Sequence, residues 1–240
     1  ALLPALDYGW CAGSAPRGAR PAFPPLSDWL ADTLDAAAGI DPARARPLIF
    51  QDLWTGGPGG IAGTPDHPSI RLRTVTTNLT MSRPHTLPDL GDRNFYFDPA
   101  EMRRVFPARV VDWMVTAGTR ALEAARARDG DRFIWPEFDG RKLYAFPEPG
   151  DLPVVVAARM SLSFPFLIAA VPLYRIDWPT KQADGRAVMR RILFSDGGIS
   201  SNFPIHFFDA LLPTRPTFGI SLDQYSADRP DRRVHLPMKA

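Results

Sequence analysis

The chain has 240 residues, of which 45% are hydrophobic, and a formal net charge of +2. This length and composition predict a single large domain over residues 1–240. The 28 basic residues are scattered among 26 acidic ones, which argues against nucleic acid as a partner. Cys11 is the single cysteine and the four histidines are scattered, so we expect no disulfide framework and no metal site.

The sequence offers no candidate for a transmembrane span. Its longest apolar segment, near residues 152–173, is interrupted by Arg159, by serines and by prolines. The chain also begins without a signal peptide or basic leader. We therefore expect a cytoplasmic location or a peripheral contact with a membrane.

The first half of the chain predicts two helices and one strand. Apolar residues spaced by three and four predict an amphipathic helix over residues 26–37. Residues 55–68 are rich in glycine and proline and predict an exposed loop, because the segment lacks the lysine that ends a phosphate-binding P-loop. Alternating β-branched residues predict a strand over 70–78, and a second helix is expected over 107–129.

The second half predicts mainly short strands. They are expected over 143–146, 154–157, 192–194 and 217–222, with a helix of small residues near 168–170 and a tail over 223–240. Strands that alternate with helices over this length predict a three-layer α/β fold.

Asp196 follows the apolar strand predicted over 192–194 and directly precedes Gly197 and Gly198. Glycine permits backbone conformations and close approaches that a Cβ atom would forbid, so we expect Asp196 to be held at the end of the strand. An isolated Asp-Gly pair is ordinarily a turn in which the aspartate caps its own backbone. The residues alone allow both a simple turn and an active-site carboxylate.

Two longer segments carry a resemblance to a known family. The stretch DGGISSNFPIHFF and the upstream segment PVVVAARMSLSFPFLIAAVPL resemble the carboxy-terminal half of bacterial patatin-like phospholipases. Three further blocks agree in order, and together the five span about residues 23–222: PLIFQDLWTG, IRLRTVTTNLTMSRPHTLP and FYFDPAEMRRVFPARVVDWM. The resemblance implies a three-layer α/β/α fold with a mainly parallel central sheet.

The chain departs from the family in one respect. The glycine-rich oxyanion loop and the GxSxG nucleophile elbow of patatin-like enzymes do not occur in these residues. We therefore expect a partial catalytic domain that is incomplete at its amino end, with the nucleophilic serine outside the chain. The alternative is a relative that has lost the serine.

The resemblance also implies a mechanism and a set of site residues. Esters would be hydrolysed through a covalent serine intermediate, with Asp196 as the general base of a serine and aspartate dyad and without a cofactor. Gly197, Gly198 and Asn202 would form the loop of the site.

Polar residues near the motif have simpler interpretations. Ser161 and Ser163 lack the sharp turn that exposes a nucleophile, so capping or packing is favoured over catalysis. Arg159 is expected to pair with a buried carboxylate or to face solvent. His206 is expected on a helix, with catalysis as the remote alternative.

Phe164, Phe166 and Phe203 are candidates for lining an acyl-chain groove, which the resemblance implies. The alternative for each of them is ordinary packing in the hydrophobic core, where most phenylalanines are found.

The sequence therefore predicts part of a lipid acyl hydrolase that acts on phospholipids or other carboxylic esters and is inactive as the isolated chain. The alternatives are a non-catalytic lipid-binding module and a partner-binding domain on the same scaffold. A sheet without its first strand would expose an edge and apolar surface, so we also expect the isolated chain to aggregate or to pair with itself.

Overall fold

The computed structural model describes residues 6–15, 22–41, 46–56, 63, 68–91, 94–181 and 187–200. All of these belong to one compact unit, Ala1–Asn202. The helices within them are α1 (Leu26–Ala37), α2 (Phe50–Thr55), α3 (Pro99–Val105), α4 (Ala108–Asp129) and α5 (Val154–Ser161). The strands are β1 (Gly9–Cys11), β2 (Thr74–Asn78), β3 (Arg83–Leu87), β4 (Phe95–Phe97), β5 (Glu137–Phe138), β6 (Arg141–Lys142), β7 (Tyr144–Ala145), β8 (Phe166–Ile168), β9 (Val171–Lys181) and β10 (Ala187–Asp196).

Both predicted long helices are confirmed. Helix α1 has the predicted bounds, and α4 begins after Pro107 and ends at Asp129, before Gly130. Proline suits this position because the first amides of a helix have no partner inside the helix. No helix among the described residues combines the length and the hydropathy that a bilayer span requires.

The largest sheet has six strands in the order β3, β2, β10, β9, β4, β7, and every neighbouring pair is antiparallel. The described strands therefore do not form the mainly parallel sheet that we expected. For two of the five pairs the connections explain the difference. Residues 79–82 join β2 to β3, and residues 182–186 join β9 to β10, and both links are too short for the crossover that parallel neighbours need.

Strands β1 and β8 form a separate parallel pair, with Gly9 opposite Phe166 and Cys11 opposite Ile168. The approach is close at Gly9, where a Cβ atom would lie 2.1 Å from the backbone nitrogen of Ala169. This pairing holds the amino-terminal segment beside the chain that follows α5.

Two secondary-structure predictions between residues 154 and 170 are wrong. Residues 154–157 belong to helix α5, and β8 lies where a short helix was expected to begin. Three successive valines favour a strand locally, but a short apolar run does not distinguish a buried strand from a buried helix. The hydroxyl of Thr76 on β2 lies 2.8 Å from the carbonyl of Ser195 on β10 and 3.3 Å from the carbonyl of Met160 on α5, so contacts with the sheet help to hold this helix.

The other strand predictions that fall on described residues are confirmed: β2, β7 and β10 lie within or across the predicted segments. Strands β1, β3, β4, β5, β6 and β9 were not predicted. The predicted strand at 217–222, the tail 223–240 and most of the loop 55–68 lie outside the described residues.

The fold of the described residues is mixed α/β with open sheets. One hydrophobic core joins the large sheet to the helices, and its fully buried members include Phe50, Phe97, Phe106, Met114, Val156 and Phe194. Helix α5 packs against β2 and β10, which places the end of α5 beside the end of β10.

Candidate active site

Asp196 is the last residue of β10, as predicted. Its backbone amide donates to the carbonyl of Ser163 at 3.1 Å, and its own carbonyl accepts from the hydroxyl of Thr77 at 2.8 Å. Asp196 also pairs with Thr76 across the sheet. The backbone that carries the carboxylate is therefore fixed on both sides.

The carboxylate of Asp196 is half-buried and turns back towards the next residues. Its Oδ1 atom accepts from the backbone amide of Gly198 at 3.1 Å, which caps one turn of 3-10 helix over Gly197–Ile199. This capping contact is the one that the simple-turn interpretation requires. It occupies one carboxylate oxygen, and no hydrogen bond from a described residue reaches the other.

Gly197 is the tightest point of the site. A Cβ atom on this residue would lie 2.2 Å from the carbonyl oxygen of Val75 and 2.7 Å from its carbonyl carbon. Such distances do not occur between real atoms, so a side chain would force the backbone of β2 or of the turn to move. The close approach expected at this glycine is confirmed.

The serines around the turn form hydrogen bonds with other groups of the chain. Ser163 donates to the carbonyl of Arg159, Ser195 donates to the carbonyl of Ser163, and Ser200 shares a hydrogen bond with Thr77. Ser161 is half-buried on the last turn of α5. These contacts support the capping or packing interpretation of Ser163.

Arg159 neither pairs with a carboxylate of a described residue nor faces solvent, so both interpretations of its sequence position are wrong. It is fully buried, and no carboxylate among the described residues lies within ion-pair distance. Its guanidinium donates to the hydroxyl of Ser163 at 2.5 Å and to the carbonyls of Ala12 and Ala169 at 3.1 and 3.0 Å. Burial lowers the pKa of Arg159 to about 10. No pattern in the sequence indicates this role, because arginine is ordinarily exposed.

The phenylalanines proposed for the acyl groove lie on the surface. Phe164 is 55% exposed and Phe166 is 61% exposed, so the core interpretation is wrong for both. Leu162 and Leu167 beside them are exposed as well. Asn202, Phe203 and His206 lie outside the described residues.

A separate cleft of about 460 Å³ lies beside helix α4. Its walls are formed by residues 88–91, 94–96 and 145–149 together with side chains of α4. None of the residues that surround Asp196 contributes to it. The sequence did not indicate this cleft, because its walls come from four distant segments.

Comparisons with known proteins give a relative but do not assign the chain to a family. No family model matches the chain, and no solved structure shows significant similarity to it. The RpoH suppressor of Rhizobium meliloti (strain 1021) is 36% identical over an alignment 258 positions long, gaps included. The alignment covers 89% of this chain but 37% of that relative, so the chain spans little more than a third of the relative's length.

Proposed function

We propose that the chain is the base-bearing part of a serine lipid acyl hydrolase, a carboxylic ester hydrolase of the patatin-like kind. The observation that carries this proposal is the position of Asp196. Its carboxylate lies at the end of β10, in a turn that Gly197 brings against β2, and Ser163 links it to the exposed Phe164.

In the proposed reaction Asp196 takes the proton of a serine hydroxyl as that oxygen attacks the ester carbonyl. The ester C–O bond then breaks, and the alcohol leaves with the proton from Asp196. Water attacks the acyl-serine with Asp196 again accepting the proton, which passes to the serine oxygen as the carboxylic acid is released. A serine hydroxyl is a weak nucleophile until a neighbouring base accepts its proton, which explains the need for a carboxylate at this place. The serine and the amides that stabilise the tetrahedral oxyanion would come from outside this chain. Gly197 and Gly198 would shape the turn, with Asn202 after them.

We also propose the fold of the complete domain. A three-layer α/β/α patatin-like domain would place further parallel strands beyond the described residues, next to the parallel pair of β1 and β8. Phe164 and Phe166, with Phe203, would receive the acyl chain of a phospholipid or another ester.

The test is hydrolysis of a short-chain p-nitrophenyl ester and of phospholipid vesicles by the full-length product of the gene. We expect activity in the wild type and a loss of at least about 100-fold in Asp196→Asn. Asp112→Asn is the matched control, because Asp112 is exposed on α4 and pairs with Arg103 of α3. A wild-type product that cleaves neither substrate contradicts the proposal.

A non-catalytic lipid-binding or partner-binding module is the second candidate, and the capping contact from Asp196 Oδ1 to Gly198 favours it. Such a module needs the turn but not a free base. Vesicle binding that survives Asp196→Ala, together with no hydrolysis by the full-length product, would establish this candidate over the enzyme.

The similarity to the relative suggests a cellular role for the full-length product. The relative is named RpoH suppressor, and the alignment at 36% identity covers 89% of this chain. We propose that the full-length product shares that role. Expression in a strain lacking the relative tests it, and the Asp196→Asn variant shows whether suppression needs the carboxylate.

A further inference from the structure

Arg159 lies where three segments of the chain meet. From the last turn of α5 its guanidinium reaches Ala12 after β1, Ser163 after α5, and Ala169 after β8. Each of these contacts goes to an oxygen atom, and two of the oxygens are backbone carbonyls. A planar group with several fixed donors is suited to holding separate segments in one geometry.

Ser163 connects this cluster to Asp196. The hydroxyl of Ser163 accepts from Arg159 at 2.5 Å, while its carbonyl accepts from the amide of Asp196 at 3.1 Å and from the hydroxyl of Ser195 at 2.7 Å. The side chain of Ser163 is therefore fixed by the arginine, and its backbone fixes the aspartate. Ser163 is therefore the link between the Arg159 guanidinium and the candidate base, Asp196.

The charge of Arg159 makes this arrangement costly unless the contacts are in place. Burial of a cation away from water is unfavourable, and among the described residues no carboxylate compensates it. The carbonyl oxygens of Ala12 and Ala169 and the negative end of α5 offset part of this cost, while the Nε atom is buried without a hydrogen-bond partner among the described residues. An apolar side chain of similar volume would fill the space without this cost, but it could not hold Ser163.

We infer that Arg159 is a positioning residue for Asp196, acting through Ser163. The inference rests on the proposed function, in which Asp196 is the general base. It assigns to the arginine no contact with the substrate. Arg159 keeps the end of β10 in the position where the Asp196 carboxylate can accept the proton of the nucleophilic serine.

The first test uses Ser163→Ala in the full-length product, because this variant removes the hydroxyl link and leaves the Ser163 carbonyl in place. For a soluble ester we expect kcat to fall about tenfold with KM within about twofold, since misplacement of a base affects the chemical step. Arg159→Met should lower kcat further, and Arg159→Lys should restore part of it. Arg103→Met is the control, because Arg103 on α3 is exposed and pairs with the exposed Asp112, so its loss should leave kcat unchanged.

The second test does not depend on activity. Hydrogen exchange of the peptide that contains residues 194–198, measured by mass spectrometry on the full-length product, reports the Asp196 amide directly. We expect exchange to be at least about tenfold faster in Arg159→Met and in Ser163→Ala. Unchanged exchange in Ser163→Ala overturns the inference. Faster exchange in a product whose wild type hydrolyses no ester would support the positioning contact and overturn the proposed function instead.

Discussion

Gly197 packs against the backbone of Val75 so closely that a Cβ atom would lie 2.2 Å from the Val75 carbonyl oxygen. The contact joins the turn after β10 to strand β2, and it places Asp196 one residue before the tightest point. Because backbone meets backbone here, neither partner has a flexible side chain that could yield.

Gly197→Ala should therefore destabilise the fold by about 3 kcal/mol. Urea unfolding measures the change. Gly140→Ala is the control: Gly140 has a φ of +73° and open space around it, so its cost is conformational and should be about 1 kcal/mol. Equal costs for the two variants would mean that the contact with Val75 does not constrain the turn.

The cap of the turn can be separated from the charge of Asp196. Asp196→Ala removes the oxygen that accepts from Gly198 and should cost about 1 kcal/mol, the usual value for a lost capping side chain. Asp196→Asn keeps an acceptor oxygen and should leave the free energy of unfolding nearly unchanged. If the asparagine variant loses as much stability as the alanine variant, the negative charge itself is needed for folding.

Because of Tyr174 on β9, the fold should lose stability at alkaline pH. The residue is fully buried, and burial, aided by the nearby Glu101 carboxylate, raises the pKa of its hydroxyl from 10.0 to about 12. A raised pKa favours the protonated form in the folded state, so this stability is complete below pH 10 and is lost as the pH rises towards 12.

Tyr174→Phe should remove that dependence. Between about pH 9 and about pH 11 the wild type should lose about 1 kcal/mol relative to the variant, measured by urea unfolding at both values. The comparison with the phenylalanine variant cancels the titration of other groups. Parallel losses in both proteins would show that the phenol ionises as readily in the folded chain as in the unfolded one.

Phe166 combines exposure with an unusual backbone, since its φ is +68°. This region disfavours bulky residues by about 1 kcal/mol or more. Phe166→Gly should therefore cost about 1 kcal/mol less than Phe164→Gly, although the two side chains are similarly exposed.

The same two variants test the acyl groove. Each should lower the hydrolysis of phospholipid vesicles several-fold more than that of a soluble ester, because the soluble ester needs no acyl groove. Ile134→Ser, at another exposed apolar residue, is the control. Equal effects on both substrates would remove these phenylalanines from the groove.

The sequence predicted the elements that depend on local signals. The apolar run before Asp196 is a strand, the glycine after it makes a close approach, and Pro107 precedes a long helix. In each case neighbouring residues carry the whole signal, either as a periodicity or as a requirement for glycine or proline.

The errors arose where distant contacts decide. The valines of α5 favour a strand locally, but the helix packs against β2 and β10. The burial of Arg159 depends on carbonyls at Ala12 and Ala169, which no local pattern reveals. The antiparallel order of the large sheet likewise follows from which strands pair, and alternating hydrophobicity does not encode that choice.

Covalent labelling of the full-length product by a fluorophosphonate probe tests the central claim most directly, because the probe reacts with a serine whose proton a neighbouring base accepts. We expect labelling of one serine in the wild type, a rate at least about 100-fold lower in Asp196→Asn, and an unchanged rate in Asp112→Asn. Absence of labelling in the wild type, or labelling that Asp196→Asn leaves intact, would contradict the assignment of Asp196 as the catalytic base.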